Sequence, residues 1–333
     1  MKIYSTGDNL EGYGGAQKVM VDVHQGIKSH LDAKIIGLCK FEDINKNYGI
    51  PETEYIRFSN PFKFRNSILL IHARRLLTFY YLINKIFRLK MKLIYVSHNT
   101  YETLKKVTFF PKNVVTISDK VTKNLIEYFN VPINHITKIY NGVINFDNRV
   151  ILDLGREEAL INILYAARIN SVKQQLEIVR NLKGKLPKNV QIVFAGSGSD
   201  EDELKSLIVG DPNFKFIGFV KEMQNLISQY DYLMLFSQKE GLPISLIEGT
   251  AVGKPLIIND VGGNLEIGRV NENAFLANSW EELAATINSL PARSDDLYKK
   301  MSSESLRIYD ENFRYETMID KYLSLIKKVY DGK

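Results

Sequence analysis

Among its 333 residues the chain has one cysteine, Cys39, which leaves no pair for a disulfide and too few thiols for a multi-cysteine zinc site. Long apolar runs are missing as well. The best candidate, Leu76–Ile83, stops after eight residues with a threonine inside it, far short of the roughly 18 to 20 that a spanning helix needs. The start, Met1-Lys2-Ile3-Tyr4, runs into Ser5-Thr6-Gly7-Asp8 without the apolar stretch of a signal peptide. These absences set the expectation of a cytoplasmic protein. With 21 Gly and 9 Pro there is no low-complexity or collagenous tract, and 45% hydrophobic with 25% charged residues is the make-up of a globular protein. The length fits two domains.

Charge of one sign is scarce in the first part. Residues 1–150 carry 22 Lys+Arg against 12 Asp+Glu, whereas residues 151–333 carry 22 against 26, so the net +6 averages a basic half and a mildly acidic one. A basic half suits an anionic partner: membrane lipid, nucleic acid or a phosphorylated ligand. No nucleic-acid-binding motif accompanies the charge.

Short apolar runs alternate with helical patterns. Lys2–Ser5, Lys34–Leu38, Glu54–Phe58, Leu93–Val96, Val114–Ile117 and Thr137–Tyr140 form one series. Ile161–Ala166, Val190–Ala195, Phe214–Ile217, Tyr232–Phe236 and Pro255–Asn259 form a second. Strands that are apolar throughout are buried on both faces, and alternation with helices predicts parallel sheets. The series pauses over 141–158, where Asn141-Gly142-Val143, Asn145, Asp147 and Asn148 supply turn chemistry, which predicts a hinge at 144–158. The expected organisation is α/β, two doubly wound Rossmann-like domains facing a central cleft, over 1–148 and 149–312. A C-terminal helix over 313–333 is expected to pack back on the first domain.

Ligands of such sheets bind beyond the carboxyl ends of the strands, so those loops carry the chemistry. The first strand leads to Gly12-Tyr13-Gly14-Gly15-Ala16-Gln17, glycines that let backbone approach an anion at a helix start. A dinucleotide fingerprint would need glycine at position 17 and an acid after the second strand, where Gln17 and Cys39-Lys40 stand, so a nicotinamide or flavin site is disfavoured. After Ile161–Ala166 come Arg168 and Lys173, a guanidinium and an ammonium suited to a diphosphate, or simply solvated surface. Asp200-Glu201-Asp202 reads as a helix first turn rather than a metal site. The most informative stretch runs from Leu235 to Pro255. There a strand delivers Glu240 to a Gly241–Pro243 turn, and a helix carries Glu248 about one turn in, so that carboxylates and free helix N–H groups face one crevice.

Glu240 and Glu248 in that context, followed by Val261-Gly262-Gly263-Asn264-Leu265-Glu266-Ile267, resemble the signature of the retaining, nucleotide-sugar-dependent glycosyltransferases of family 4, the glycosyl transferases group 1, with the GT-B fold. The resemblance extends over nearly the whole chain. Gly14-Gly15-Ala16-Gln17 stands where the family has Gly-Gly-x-Glu, Asn141-Gly142-Val143 matches the end of the first domain, and Arg168 and Lys173 match the family's Arg and Lys pair. It implies that Gly14 and Gly15 approach the donor diphosphate, that Arg168 and Lys173 neutralise it on departure, and that Glu248 binds ribose. It further implies that Glu240, with the backbone of Gly241, Leu242, Pro243 and Ile244, orients the donor sugar, that the main chain of Val220 meets the base, and that His98 contacts the sugar. Gln17 and Gln174 depart from the pattern, the latter standing where the family has Gly or Asn.

The implied activity is transfer of a sugar from a nucleoside diphosphate, UDP first, to a glycan or lipid-linked acceptor in surface polysaccharide or glycolipid synthesis. Anomeric configuration is retained, with no cofactor and no bound metal. A nucleotide-sugar epimerase of the same fold and a non-catalytic nucleotide-sugar binder are the alternatives. Finally, Arg57–Tyr101 holds nine basic residues and no acid, and Ser67, Arg74, Thr78, Lys85, Arg88 and Lys92 recur as one polar stripe along an otherwise apolar helix. Such a stripe either meets an anionic membrane surface, placing the protein peripherally on the inner face of the cell membrane, or is the solvated face of a crossover helix.

Overall fold

The computed structural model describes residues 2–144, 160–221 and 223–332. They fall into two compact units, Met1–Asn141 with Tyr315–Lys333, and Gly142–Arg314. The expected boundary between residues 148 and 149, and the expected hinge beyond residue 144, lie outside the described residues.

In the first unit, β1 (Ile3–Thr6), α1 (Gly15–Lys28), β2 (Ala33–Gly37), β3 (Tyr55–Arg57), β4 (Ile68–Ile71), α2 (Arg74–Ile86), β5 (Lys92–Ser97), β6 (Asn113–Thr116), α3 (Asp119–Glu127) and β7 (Ile136–Lys138) follow in chain order. Among the described residues the strands make a seven-stranded parallel sheet, β3-β2-β1-β4-β5-β6-β7. Ile3 lies opposite Ala33 on one side and Ile68 on the other. The chain moves outward from β1 to β3, then returns to β4 and moves the other way, so the order reverses between β1 and β4. Helix α1 turns Val19, Met20, Val23 and Ile27 inward, a spacing set by 3.6 residues per turn.

The expected basic stripe does not run along one helix. Ile68–Ile71 is a fully buried strand, Ser67 precedes it, Lys92 opens β5, and Arg88 lies beyond α2 at a φ of +48°. On α2 itself Leu76, Leu77 and Tyr80 are buried, while Phe79, Leu82 and Ile86 point outward at 42%, 39% and 68% exposure. The polar flank is bonded to protein: Arg74 donates to the Thr103 carbonyl (2.7 Å) and stacks on Tyr101, and the Thr78 hydroxyl donates to the Val107 carbonyl (2.8 Å).

The second unit continues with β8 (Ile161–Ala166), α4 (Gln175–Leu182), β9 (Val190–Ala195), α5 (Glu201–Leu207), β10 (Phe214–Gly218), α6 (Met223–Ser228) and β11 (Tyr232–Leu235). It goes on through α7 (Ile244–Ala251), β12 (Leu256–Ile258), α8 (Asn264–Ile267), β13 (Ala274–Leu276), α9 (Trp280–Asn288) and α10 (Asp296–Asn312). Its parallel sheet, six strands among the described residues, has the order β10-β9-β8-β11-β12-β13 and reverses between β8 and β11. The last helix, α11 (Tyr315–Asp331), belongs to the first unit. Tyr315 donates to the Asp22 carbonyl on α1 (2.8 Å), Gly26 of α1 packs against Ile319, and Lys92 donates to the carbonyls of Val329 and Tyr330 at the end of α11. A cation on the last carbonyls of a helix is the favourable arrangement. Among the described residues no helix is long and apolar enough to cross a membrane.

Candidate functional site

Where strand order reverses, the two flanking connections leave in opposite directions and open a crevice beyond the strand ends. In the second unit those strands are β8 and β11, and the residues just beyond them are Ala167–Gln174 and Phe236–Pro243. Lys173 and Glu240 meet there: the Lys173 ammonium pairs with Glu240 Oε1, which also accepts from the Ser237 hydroxyl (2.6 Å). Glu240 is only 7% exposed, and those two donors satisfy its Oε1 away from water.

Buried polar groups hold both loops. The Tyr165 hydroxyl, on β8, donates to the Lys173 carbonyl (2.6 Å) and accepts from the Phe236 amide (3.3 Å), tying one loop to the other. Burial pushes that phenol well above its ordinary pKa, and the Glu240 charge adds to the effect, which keeps it a donor. The buried Gln175 side chain donates to the Arg168 carbonyl (2.9 Å), and Asn170 caps the short turn Ser171–Lys173 by accepting from the Lys173 amide (3.1 Å). Gln174 then sits at a φ of +58°, the left-handed region that Gly and Asn tolerate best, which is why those residues suit this position.

The second half of the signature is a buttress. Asn259 donates to the Ser237 carbonyl (2.7 Å), Asn264 donates to the Asn259 carbonyl (3.1 Å), and the Gly263 amide donates to the Gly241 carbonyl (2.8 Å). Gly262, at a φ of +56°, lies so close that a Cβ there would stand 2.3 Å from the Glu240 carbonyl oxygen. Helix α7 begins after Pro243 with no side-chain cap, and the N–H groups of its first turn have no intrahelical acceptor. Glu248 is half-buried on that helix, Arg168 is exposed beside Ile169, and Val220 lies two residues past β10. Asp200 precedes α5, whose first turn holds Glu201, Asp202 and Glu203, and Lys205 takes Glu201 (2.7 Å).

In the first unit the reversal lies between β1 and β4. Gly14 caps α1 in an extended conformation, but its amide already donates to the Tyr48 hydroxyl (3.1 Å), and that hydroxyl donates to the Gly12 carbonyl (2.7 Å). Gly15 has open space where a side chain would stand. The Gln17 amide donates to the Asp8 carbonyl (3.1 Å), a bond that the family's glutamate cannot make when ionised. An open cavity of about 590 Å³ beside this loop is lined by Asp8, Asn9, Glu11, Gln17 and Arg75. Beyond β5, His98 is buried, and its Nε2 lies 3.0 Å from Nδ1 of His72, which follows β4. Burial lowers the pKa of His98 to about 4. It also lowers that of His72, with the charges of His98 and His24 adding to the effect.

His72, Ser237, Gln175, Asn259 and Asn264 are absent from the sequence-derived site. His72 carried one signal, a position directly after the apolar run Ile68–Ile71; the others make contacts that only the folded chain brings together.

Residues 153–306, all within the second unit, match the model of the glycosyl transferases group 1. The chain is similar to that family over just under half of its length. Its two doubly wound units are those of the GT-B fold: the structure of Anabaena Alr3699/HepE with UDP superposes with a TM-score of 0.83 over 98% of this chain and 100% of that one, at 18% identity. EpsD of Bacillus subtilis strain 168 is 32% identical over 151 residues, 44% of this chain and 38% of that protein. The N,N'-diacetylbacillosaminyl-diphospho-undecaprenol alpha-1,3-N-acetylgalactosaminyltransferase of Campylobacter jejuni is 22% identical over 267 residues, 75% of this chain and 65% of its own length. This chain thus spans under two thirds of both relatives.

Proposed function

We propose that this chain is a retaining glycosyltransferase that moves a sugar from a UDP-sugar to a glycan or lipid-linked acceptor in surface polysaccharide or glycolipid synthesis. The observation that carries the reading is the meeting of Lys173 and Glu240 beyond β8 and β11, at a switch point inside the segment that matches the family. An ammonium has three donors; with one on Glu240, two are left for phosphate oxygens. Both bonds to Glu240 end on Oε1, so Oε2 is the oxygen that accepts a sugar hydroxyl. Arg168 and the first-turn amides of α7 add to the positive field on which charge develops as UDP leaves. Glu248 takes the ribose, the main chain of Val220 the base, and Gly14, Gly15 and His98 keep the donor-contacting roles that family resemblance implies. For Gly14 the contact costs the bond to Tyr48. UDP in the HepE structure and the diphospho-undecaprenol acceptor in the Campylobacter name support this substrate class.

The reading is tested by UDP release from UDP-sugars with and without lipid-linked glycan acceptors. Lys173→Ala and Glu248→Ala each lower kcat/KM at least about ten-fold in folded protein, the worth of one charge-assisted contact; unchanged kinetics overturn the assignment. We further place the protein on the cytoplasmic face of the membrane, through the outward apolar face of α2 (Phe79, Leu82, Ile86) and the basic residues around it. Vesicles with anionic lipid sediment it at low salt and neutral vesicles do not; equal behaviour overturns that placement.

A further inference from the structure

The crevice of the first unit holds a buried pair of which the proposed reaction uses only one member. His72 follows Ile71 at the end of β4, and its amide donates to the Thr6 carbonyl at the end of β1 (2.8 Å), so it stands on the strand that flanks the reversal. His98 follows Ser97 on the neighbouring β5. The rings lie nearly coplanar, 25° apart, with His72 Nδ1 and His98 Nε2 at 3.0 Å. They are 8% and 6% exposed.

We propose that His72 is a positioning residue that locks His98 in the tautomer protonated on Nδ1, so that His98 offers an N–H donor to an oxygen of the bound sugar. The sugar contact rests on the function proposed above; the tautomer does not. Two neutral imidazoles can share one hydrogen bond in two ways. If His98 Nε2–H is the donor, His72 accepts on Nδ1 and must carry its proton on Nε2. That nitrogen is buried, and no group among the described residues bonds it, so a donor would be orphaned in a dry place, which folded proteins rarely tolerate. If His72 Nδ1–H is the donor, only a bare lone pair is left at Nε2, the lesser cost. His98 Nε2 is then the acceptor, and the His98 proton stays on Nδ1. Which ring nitrogen of a histidine is protonated is set by the bond that the other makes, and here the partner is another histidine.

The direct test is ring-nitrogen NMR on protein labelled with ¹⁵N in its five histidines, assigned by single substitutions, at pH 7. Expected is a His98 protonated on Nδ1 in the wild type, loss of that preference in His72→Phe, and its recovery in His72→Asn, whose amide N–H stands where Nδ1 stood. His98 protonated on Nε2 in the wild type, or unchanged in His72→Phe, overturns the proposal; if His72→Phe does not fold, the wild type and His72→Asn decide. In turnover, His72→Phe lowers kcat about ten-fold with KM little changed, while His72→Asn stays near the wild type. Equal losses in the two variants overturn the positioning role. Failure of the transferase reading shows separately, as wild-type protein that releases no UDP while its NMR tautomer is as expected.

Discussion

All five histidines fall in the first unit and none in the second, while the lone tryptophan, Trp280, falls in the second. The two sheets reverse their strand order in the same manner, yet one reversal carries two dry imidazoles and the other an ammonium paired with a carboxylate. Their glycines differ too. Gly198 is pressed against the Ile169 backbone, whereas Gly15 has open space around it. Topology decides where loops converge; the side chains at the strand ends decide what they bind.

Acid should split the two units most. Burial holds His24 and His98 at about 4, with the Lys28 charge adding to the effect at His24, against an ordinary 6.5. Between those values the unfolded chain binds protons that the native one refuses, so stability is lost as pH falls below 6.5, by roughly 2 kcal/mol for each histidine at pH 5. The loss belongs to the first unit. Unfolding followed by Trp280 fluorescence, whose ring packs on Phe236, should move little between pH 6.5 and 5 while the far-UV CD transition drops. Transitions that move together break the contrast.

Next in size is Gly198→Ala, whose Cβ would stand 2.0 Å from the Ile169 carbonyl oxygen. Urea unfolding by tryptophan fluorescence should show a loss of about 3 kcal/mol. Gly15→Ala should leave stability within about 1 kcal/mol, because alanine suits the first turn of α1; a large loss there erases the difference between the two glycine turns. Ser237→Ala should cost about 1 kcal/mol and lower kcat/KM several-fold, since Glu240 then rests on Lys173 alone. Smallest is Gln174→Gly, which should raise the melting temperature by a few degrees at most, by relieving the left-handed backbone.

The strands β1, β8, β9 and β11 were legible because each is a run of four to six residues that are apolar or β-branched at all but at most one position. β4 was not. Its four residues lie between Ser67 and Arg74, whose spacing mimics a helical period, and a short apolar run reads equally well as helix or strand. With β4 went His72, since a histidine is marked as a strand-end residue only once the strand is known. β13, three residues long, falls below any periodic signal. At the site, Lys173 and Glu240, which the fold brings together, were readable from local spacing. Ser237, Asn259 and Gln175 were not, because each acts through a bond to a loop whose course depends on the fold.

Helix α11 joins a sheet whose other elements end at residue 138, with the whole second unit inserted between. Tyr315 and Asp22, bonded across 293 positions, can meet only after that insertion has been synthesised. The first unit therefore emerges from the ribosome with the α1 surface around Gly26 uncovered, and it waits the length of the second unit for its cover. For a nascent chain, the domain that begins first is the one completed last.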